Sequence, residues 1–120
     1  RPLSRVGDHI SQDGGFDHCF ALADRDRSAD PAVEVVHPES GPMVQVFPDF
    51  PGVQFYTGNY LEGIKTRCGA VNNHDAYCLE TQEYPDAVNQ PHFPDVILRP
   101  GETYRRQTVH KFSVLDGERV

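Results

Sequence analysis

Prolines and glycines, ten of each, cut these 120 residues into short pieces. Proline removes a backbone donor and glycine loosens the chain, so a long helix does not survive such interruption. Short strands joined by tight turns are what remains. The apolar residues agree: nowhere do they keep helical spacing for long, whereas β-branched runs recur. Val33 to Val36 and Met43 to Phe47 are two such runs, and His37-Pro38-Glu39-Ser40-Gly41-Pro42 between them predicts a hairpin. Phe16 to Ala23, Gly52 to Tyr56 and Ala76 to Thr81 predict further strands, and Val96 to Leu98 a short one. Thr103 to Leu115 alternates throughout, with Tyr104, Thr108, Phe112 and Val114 on one face and Arg105, Gln107, Lys111 and Ser113 on the other. Period 2 with one wet face is the antiparallel signature. The expected fold class is all-β, an antiparallel β-sandwich.

The connections set the limits of the fold. Arg1 to Gly15 is polar and irregular and reads as a loop, and Asp24 to Pro31 as an exposed turn of mixed charge. Leu61 to Asp75 is a connection rich in glycine and asparagine. Pro85 to Pro94, with three prolines, predicts an ordered and mostly extended turn. The length suits one domain with a modest core. No run approaches the roughly 20 apolar residues of a membrane span. The net charge is −7 and the basic residues are scattered, Arg105-Arg106 being the nearest to a patch. Neither a membrane nor nucleic acid is therefore an expected partner. Cys19, Cys68 and Cys78 cannot all pair and show no CxxC spacing, which predicts a reducing, cytoplasmic setting with small buried thiols. The chain starts at Arg1-Pro2-Leu3 without an initiator methionine, so further sequence is expected upstream.

Several polar residues lie inside runs that otherwise look buried: Asp17-His18 after Phe16, Gln54 after Val53, and Glu80 after Cys78-Leu79. For any one of them, pointing at the wet face is the commoner explanation. Three strands that each carry one beside aromatic residues also describe how a sugar site is built. Asp, Glu and Gln meet hydroxyl groups, and Phe and Tyr meet C–H faces. Among the six histidines, His37 and His74 fall in apparent loops, while His92 and His110 suit packing roles. His18 lies on the opposite strand face from Asp17. No histidine pair has zinc spacing and Cys68 with Cys78 lacks the HxE…CxxC setting, so neither metal nor cofactor is expected. Gly-rich phosphate loops and the GxSxG elbow are absent, and no histidine is placed beside a cysteine nucleophile.

Four segments, in order, resemble the C-terminal portion of the aldose 1-epimerase (galactose mutarotase) family. They are Gly15-Phe16-Asp17-His18-Cys19-Phe20, Pro51-Gly52-Val53-Gln54-Phe55-Tyr56-Thr57-Gly58-Asn59, Cys78-Leu79-Glu80-Thr81-Gln82, and Pro85-Asp86-Ala87-Val88-Asn89-Gln90-Pro91-His92-Phe93-Pro94. Leu98-Arg99-Pro100-Gly101-Glu102-Thr103-Tyr104 adds a fifth in register. The resemblance implies that residues 1–120 are the C-terminal part of a single, larger β-sandwich domain. It implies interconversion of the α and β anomers of aldoses such as galactose and glucose. Glu80 is then the general base, while Asp17 and Gln54 hold the sugar. Cys19 stands where the family commonly has asparagine.

The resemblance also implies what this stretch lacks. The family's general acid is a histidine, helped by a second histidine and an arginine, and all three belong to segments upstream. The isolated chain is therefore expected to be incomplete and inactive alone, with the missing N-terminal portion as a complementing partner. A sandwich cut in this way would show unpaired edges and an open apolar face. Closeness of Glu80 to Asp17 would raise the pKa of one of them, as suits a base. The alternative is a non-catalytic carbohydrate-binding remnant of the same fold.

Overall fold

The computed structural model describes residues 14–22 and 29–115, and these are built from strands and turns. Most of the expected loop before Gly15 and the first part of the charged turn lie outside the described residues. Eight strands follow in order: β1 (Asp17–Ala21), β2 (Val33–Val36), β3 (Pro42–Pro48), β4 (Gly52–Tyr56), β5 (Lys65–Thr66), β6 (Gly69–Ala70), β7 (Cys78–Gln82) and β8 (Thr108–Val114). One 3₁₀ turn, Ala87–Asn89, lies between β7 and β8. No helix among the described residues is long and apolar enough to cross a membrane.

The strands form two antiparallel three-stranded sheets, ordered β1-β4-β7 and β2-β3-β8, and a small β5-β6 ribbon. The predicted hairpin is β2–β3. Its connection closes through His37 N–H to Pro42 O (2.9 Å) and Gly41 N–H to His37 O (2.8 Å). Gly41 takes φ +83°, which a residue without Cβ adopts freely. β3 is a central strand that begins and ends in proline. Both prolines lie beyond the β2 pairing, which stops at Met43 and Val46. They therefore remove no donor from the stretch paired on both sides.

Alternation then decides which faces meet. Val33 and Val35 share a face with Val44 and Val46 across the β2–β3 ladder. Phe20, Val53 and Leu79 lie on the inner face of the other sheet. The centre of the core is Val46, fully buried, with Val53 at 1% and Val33 at 6% exposure. Phe20, Leu22, Ala32, Val35, Val44 and Leu79 pack around them. Two sheets joined through interleaved inner faces make a sandwich. A 2.7 Å hydrogen bond between the Thr81 and Thr108 hydroxyls links the sheets beside the core.

Three expectations need correction. The alternation from Thr103 to Leu115 becomes a strand only from Thr108, because β3 offers partners from Pro42 to Pro48 and Pro48 already faces Thr108. Phe112 and Val114 lie on the inner side of β8, as Phe112 opposite Val44 shows, yet they are 77% and 66% exposed. The apolar side of β8 is thus open at Phe112 and Val114. Val96 to Leu98 forms no strand, and Ile97 and Leu98 stand exposed. The proline-rich segment is ordered but turned rather than extended. Asp86, at φ +59°, accepts hydrogen bonds from Asn89 Nδ2 (2.5 Å) and Gln90 Nε2 (2.9 Å). Those donors hold its carboxyl below the usual carboxylate range.

The segment before β8 is held by an ion pair. Arg106 donates through Nε (2.9 Å) and Nη2 (2.6 Å) to Glu83 Oε1, with its guanidinium 5.7 Å from the Phe50 ring centre. Glu83 Oε2 is buried without a partner among the described residues. Arg106→Ala leaves that half-buried carboxylate without its donor, and should cost about 1–2 kcal/mol in denaturant unfolding of the protein carrying this sequence.

Candidate functional site

The outer face of the β1-β4-β7 sheet carries the candidate residues. In antiparallel pairing, directly opposed residues share a face, and so do residues two apart along a strand. Asp17 faces Tyr56, Cys19 faces Gln54 and Ala21 faces Gly52 across β1–β4. Across β4–β7, Tyr56 faces Cys78, Gln54 faces Glu80 and Gly52 faces Gln82. All nine therefore project to one side, in three rows. The middle row runs Cys19, Gln54, Glu80. His18, Phe20, Val53, Phe55, Leu79 and Thr81 go to the other side, so His18 is indeed opposite Asp17.

Three sequence candidates are brought together here. Gln54 Nε2 donates to Asp17 Oδ1 at 2.6 Å, a diagonal contact between neighbouring strands. Glu80 stands directly across from Gln54 on the other side. Asp17 and Glu80 are exposed and Gln54 is half-buried, so the row is open to a solute. The two carboxylates are not neighbours, however, because β4 lies between their strands. Two inter-strand steps of about 4.8 Å put those strands roughly 10 Å apart. At that range, exposed charges in physiological salt are largely screened from one another. The expected carboxylate–carboxylate coupling thus has no close contact to act through.

Asp17 is positioned by a small polar clamp behind it. Phe16 N–H donates to Thr57 Oγ1 (2.7 Å), Thr57 Oγ1 donates to Asn59 Oδ1 (2.8 Å), and Asn59 Nδ2 donates to Phe16 O (3.0 Å). Asn59 is buried, and this circuit satisfies it. Gly15 fits against it only because it has no side chain: a Cβ would run into Asn59 Oδ1 and Thr57 Oγ1. The strand register that places Asp17 opposite Tyr56 continues into Thr57 N–H to Phe16 O (3.0 Å).

Beyond the middle row, the face is closed by an aromatic ring. A Cβ on Gly52 would lie 3.1 Å from Cys19 Sγ and 3.2 and 3.3 Å from Tyr84 Cδ1 and Cε1. The Tyr84 ring thus meets this face of the sheet by one edge, next to the row of Gln54 and Glu80. Tyr84 packs on Phe93 (4.9 Å between ring centres), and Phe93 on His92 (4.4 Å). Gln82 Nε2 reaches Cys19 Sγ at 3.9 Å. Reasoning from residues alone singled out Glu80 but passed over Gln82 and Tyr84. Gln82 carried a signal, since it lies two residues from Glu80 in a strand. Tyr84 had none, because only the backbone turn after β7 brings it over Gly52.

The thiols differ from expectation. Cys68 and Cys78 are exposed and only Cys19 is half-buried. The reason is that Cys68 sits in the β5–β6 turn and Cys78 on the outer face of an edge strand. Burial pushes the Cys19 thiol up, partly offset by the Gln82 hydrogen bond. An aromatic disulfide reagent at neutral pH should therefore titrate two thiols quickly and Cys19 slowly. Equal rates at all three would contradict the partial burial of Cys19. Among the described residues, no group of three or more His, Cys, Asp or Glu is placed to hold a metal ion.

Fold and face together define a class, an antiparallel β-sandwich protein with a row of acid and amide groups open on one sheet. The chain belongs to the aldose 1-epimerase family, whose model matches residues 1–111. It is 50% identical over 114 residues to galactose mutarotase from Homo sapiens, covering 91% of this chain and 33% of that protein. Galactose mutarotase from Sus scrofa is 47% identical over 113 residues, with the same coverage of 91% and 33%. Aldose 1-epimerase from Escherichia coli (strain K12) is 33% identical over 101 residues, covering 82% of this chain and 29% of that protein. The chain thus spans about a third of the length of the curated relatives it matches.

Proposed function

We propose that this chain is the C-terminal portion of a single aldose 1-epimerase domain and carries its general base. One observation supports the reading most: Asp17, Gln54 and Glu80 come from three separate strands to one open face, with Asp17 and Gln54 already bonded to each other. Asp17 and Gln54 hold hydroxyl groups of an aldohexose such as galactose or glucose. Glu80 takes the proton from the C1 hydroxyl while an acid outside this chain protonates the ring oxygen. The C1–ring oxygen bond breaks, giving the open-chain aldehyde. Rotation about C1–C2 turns the other carbonyl face to the ring-forming hydroxyl. That hydroxyl attacks C1, its proton returns to the acid's conjugate base, and Glu80 gives its proton to the carbonyl oxygen. The cycle moves only protons, and each positioned transfer is worth about 10²–10⁴-fold in rate.

The rest of the sandwich is the natural cover for the exposed Phe112 and Val114, and the source of the acid. Polarimetry of freshly dissolved α-glucose or α-galactose tests this. The natural protein that carries this sequence should speed mutarotation, and the 120-residue chain alone should not. A natural protein no faster than buffer would overturn the reading. A second reading, a carbohydrate-binding remnant without catalysis, has one observation in its favour. None of β1, β4 and β7 places a histidine on the face of Glu80. Calorimetric sugar binding without turnover by the natural protein would select it.

A further inference from the structure

We propose that Tyr84 is a specificity-determining residue of this site, an aromatic wall that receives the C–H face of a pyranose whose hydroxyls are held by Asp17, Gln54 and Glu80. This deepens the reading above and rests on it. Polar residues fix the orientation of a sugar but leave its apolar C–H patch in water, and an aromatic ring beside them removes that cost. Tyr56 shares this face but lies at its Asp17 end, where its hydroxyl accepts from Tyr60 N–H (3.2 Å); Tyr84 is the aromatic residue on the Gly52 side of the Gln54–Glu80 row. Its Cδ1–Cε1 edge sits over Gly52, on the face and strand that carry Gln54, one row away from the Gln54–Glu80 pair.

The ring is fixed before any ligand arrives. Phe93 backs it at 4.9 Å, and the intervening segment is closed by Ala87 N–H to Tyr84 O (3.2 Å) and Phe93 N–H to Gln90 O (2.9 Å). Asp86 binds the side chains of Asn89 and Gln90 within the same turn. A wall that does not need ordering loses less on binding than a mobile one. Gly52 is part of the device, since any larger residue would push on Cys19 Sγ and on the ring at 3.1–3.3 Å. The wall is asymmetric. The opposite end of the face, around Asp17, Tyr56 and Cys78, has Asp17 and Cys78 exposed. On the Gly52 side the ring limits the length of a bound pyranose.

The test is steady-state polarimetry on the natural protein, with Tyr84→Phe, Tyr84→Trp, Tyr84→Leu and Gly52→Ala. Leucine keeps bulk but has no aromatic face, so Tyr84→Leu should raise KM for the aldose by about ten- to a hundredfold with kcat little changed. Tyr84→Phe and Tyr84→Trp should keep KM near that of the parent. Gly52→Ala, which displaces the ring, should raise KM in the same direction. The pH profile of kcat should be the same in all of them, because the base is untouched. A folded Tyr84→Leu protein with parental KM overturns the proposal, and so does Tyr84→Phe as impaired as Tyr84→Leu. Should Tyr84→Leu not fold, Gly52→Ala and Tyr84→Phe decide it by the same criteria. Failure of the underlying reading looks different: the unmodified protein itself would show no mutarotation, and the wall would fall with it.

Discussion

Glu80→Gln is expected to slow mutarotation by the natural protein about 10²–10⁴-fold while leaving KM almost unmoved. Glutamine has the shape of glutamate and keeps a hydrogen-bonding group opposite Gln54, so the proposed sugar contacts of the row would be kept. What it cannot do is accept a proton at neutral pH. A loss confined to kcat is the sign of an interaction made in the transition state rather than in binding. Glu34→Gln is the matched control. Glu34 is exposed on the other sheet, where it accepts from Gln45 Nε2 at 2.7 Å, and its replacement should leave the rate alone. Polarimetry of the two variants side by side separates a base from a general effect of lost charge. Retention of the full rate by Glu80→Gln would remove Glu80 from the mechanism.

Gly15→Ala should be strongly destabilising. Its methyl group has no room, because Asn59 Oδ1 and Thr57 Oγ1 already occupy the space. These atoms cannot retreat without opening the circuit that satisfies the buried Asn59 and the backbone of Phe16. Overpacking and a broken buried polar circuit together should cost about 3 kcal/mol in denaturant unfolding. The two effects are distinguishable. Thr57→Ala opens the circuit without adding bulk and should cost about 1–2 kcal/mol. If Gly15→Ala proved no worse than Thr57→Ala, steric crowding at Gly15 would be refuted. Asp17 follows Phe16 directly, so the clamp that stabilises the strand also aims a candidate sugar-binding group.

Most of the strands were legible from the residues, and the reasons differ from case to case. The β2–β3 hairpin was plain because two β-branched runs flank a connection with proline and glycine. Gly52–Tyr56 and Cys78–Gln82 were plain for a similar reason, being short runs between breakers. The stretch from Thr103 to Thr108 was misleading. Alternation says that a segment can lie in a sheet, but the partner decides how much of it does, and β3 ends at Pro48. Val96–Leu98 likewise has strand-forming residues and no strand beside it. The β5–β6 ribbon escaped notice because two residues on each side carry no periodicity. Of the candidate site, the identities of Asp17, Gln54 and Glu80 could be read in advance, but their order across the sheet could not. Strand order and register are tertiary properties, and together they put Gln54 on the strand between the carboxylates. The aromatic wall was hidden more deeply, since it depends on a backbone turn and on a glycine in β4, with β5, β6 and β7 between it and the ring in sequence.

The order β1-β4-β7 has a kinetic consequence. Its members are strangers along the chain: β1 must wait for Tyr56 to find Asp17, across everything that β2 and β3 contribute. The β2–β3 hairpin closes over a few residues, an event of about 1–10 μs. Pairing across long intervening loops bears a larger entropic cost before any contact repays it, and is correspondingly slow. During refolding, backbone protection should thus appear in the hairpin early and in the strands bearing Asp17, Gln54 and Glu80 late. A protein of this design has its scaffold before it has its chemistry.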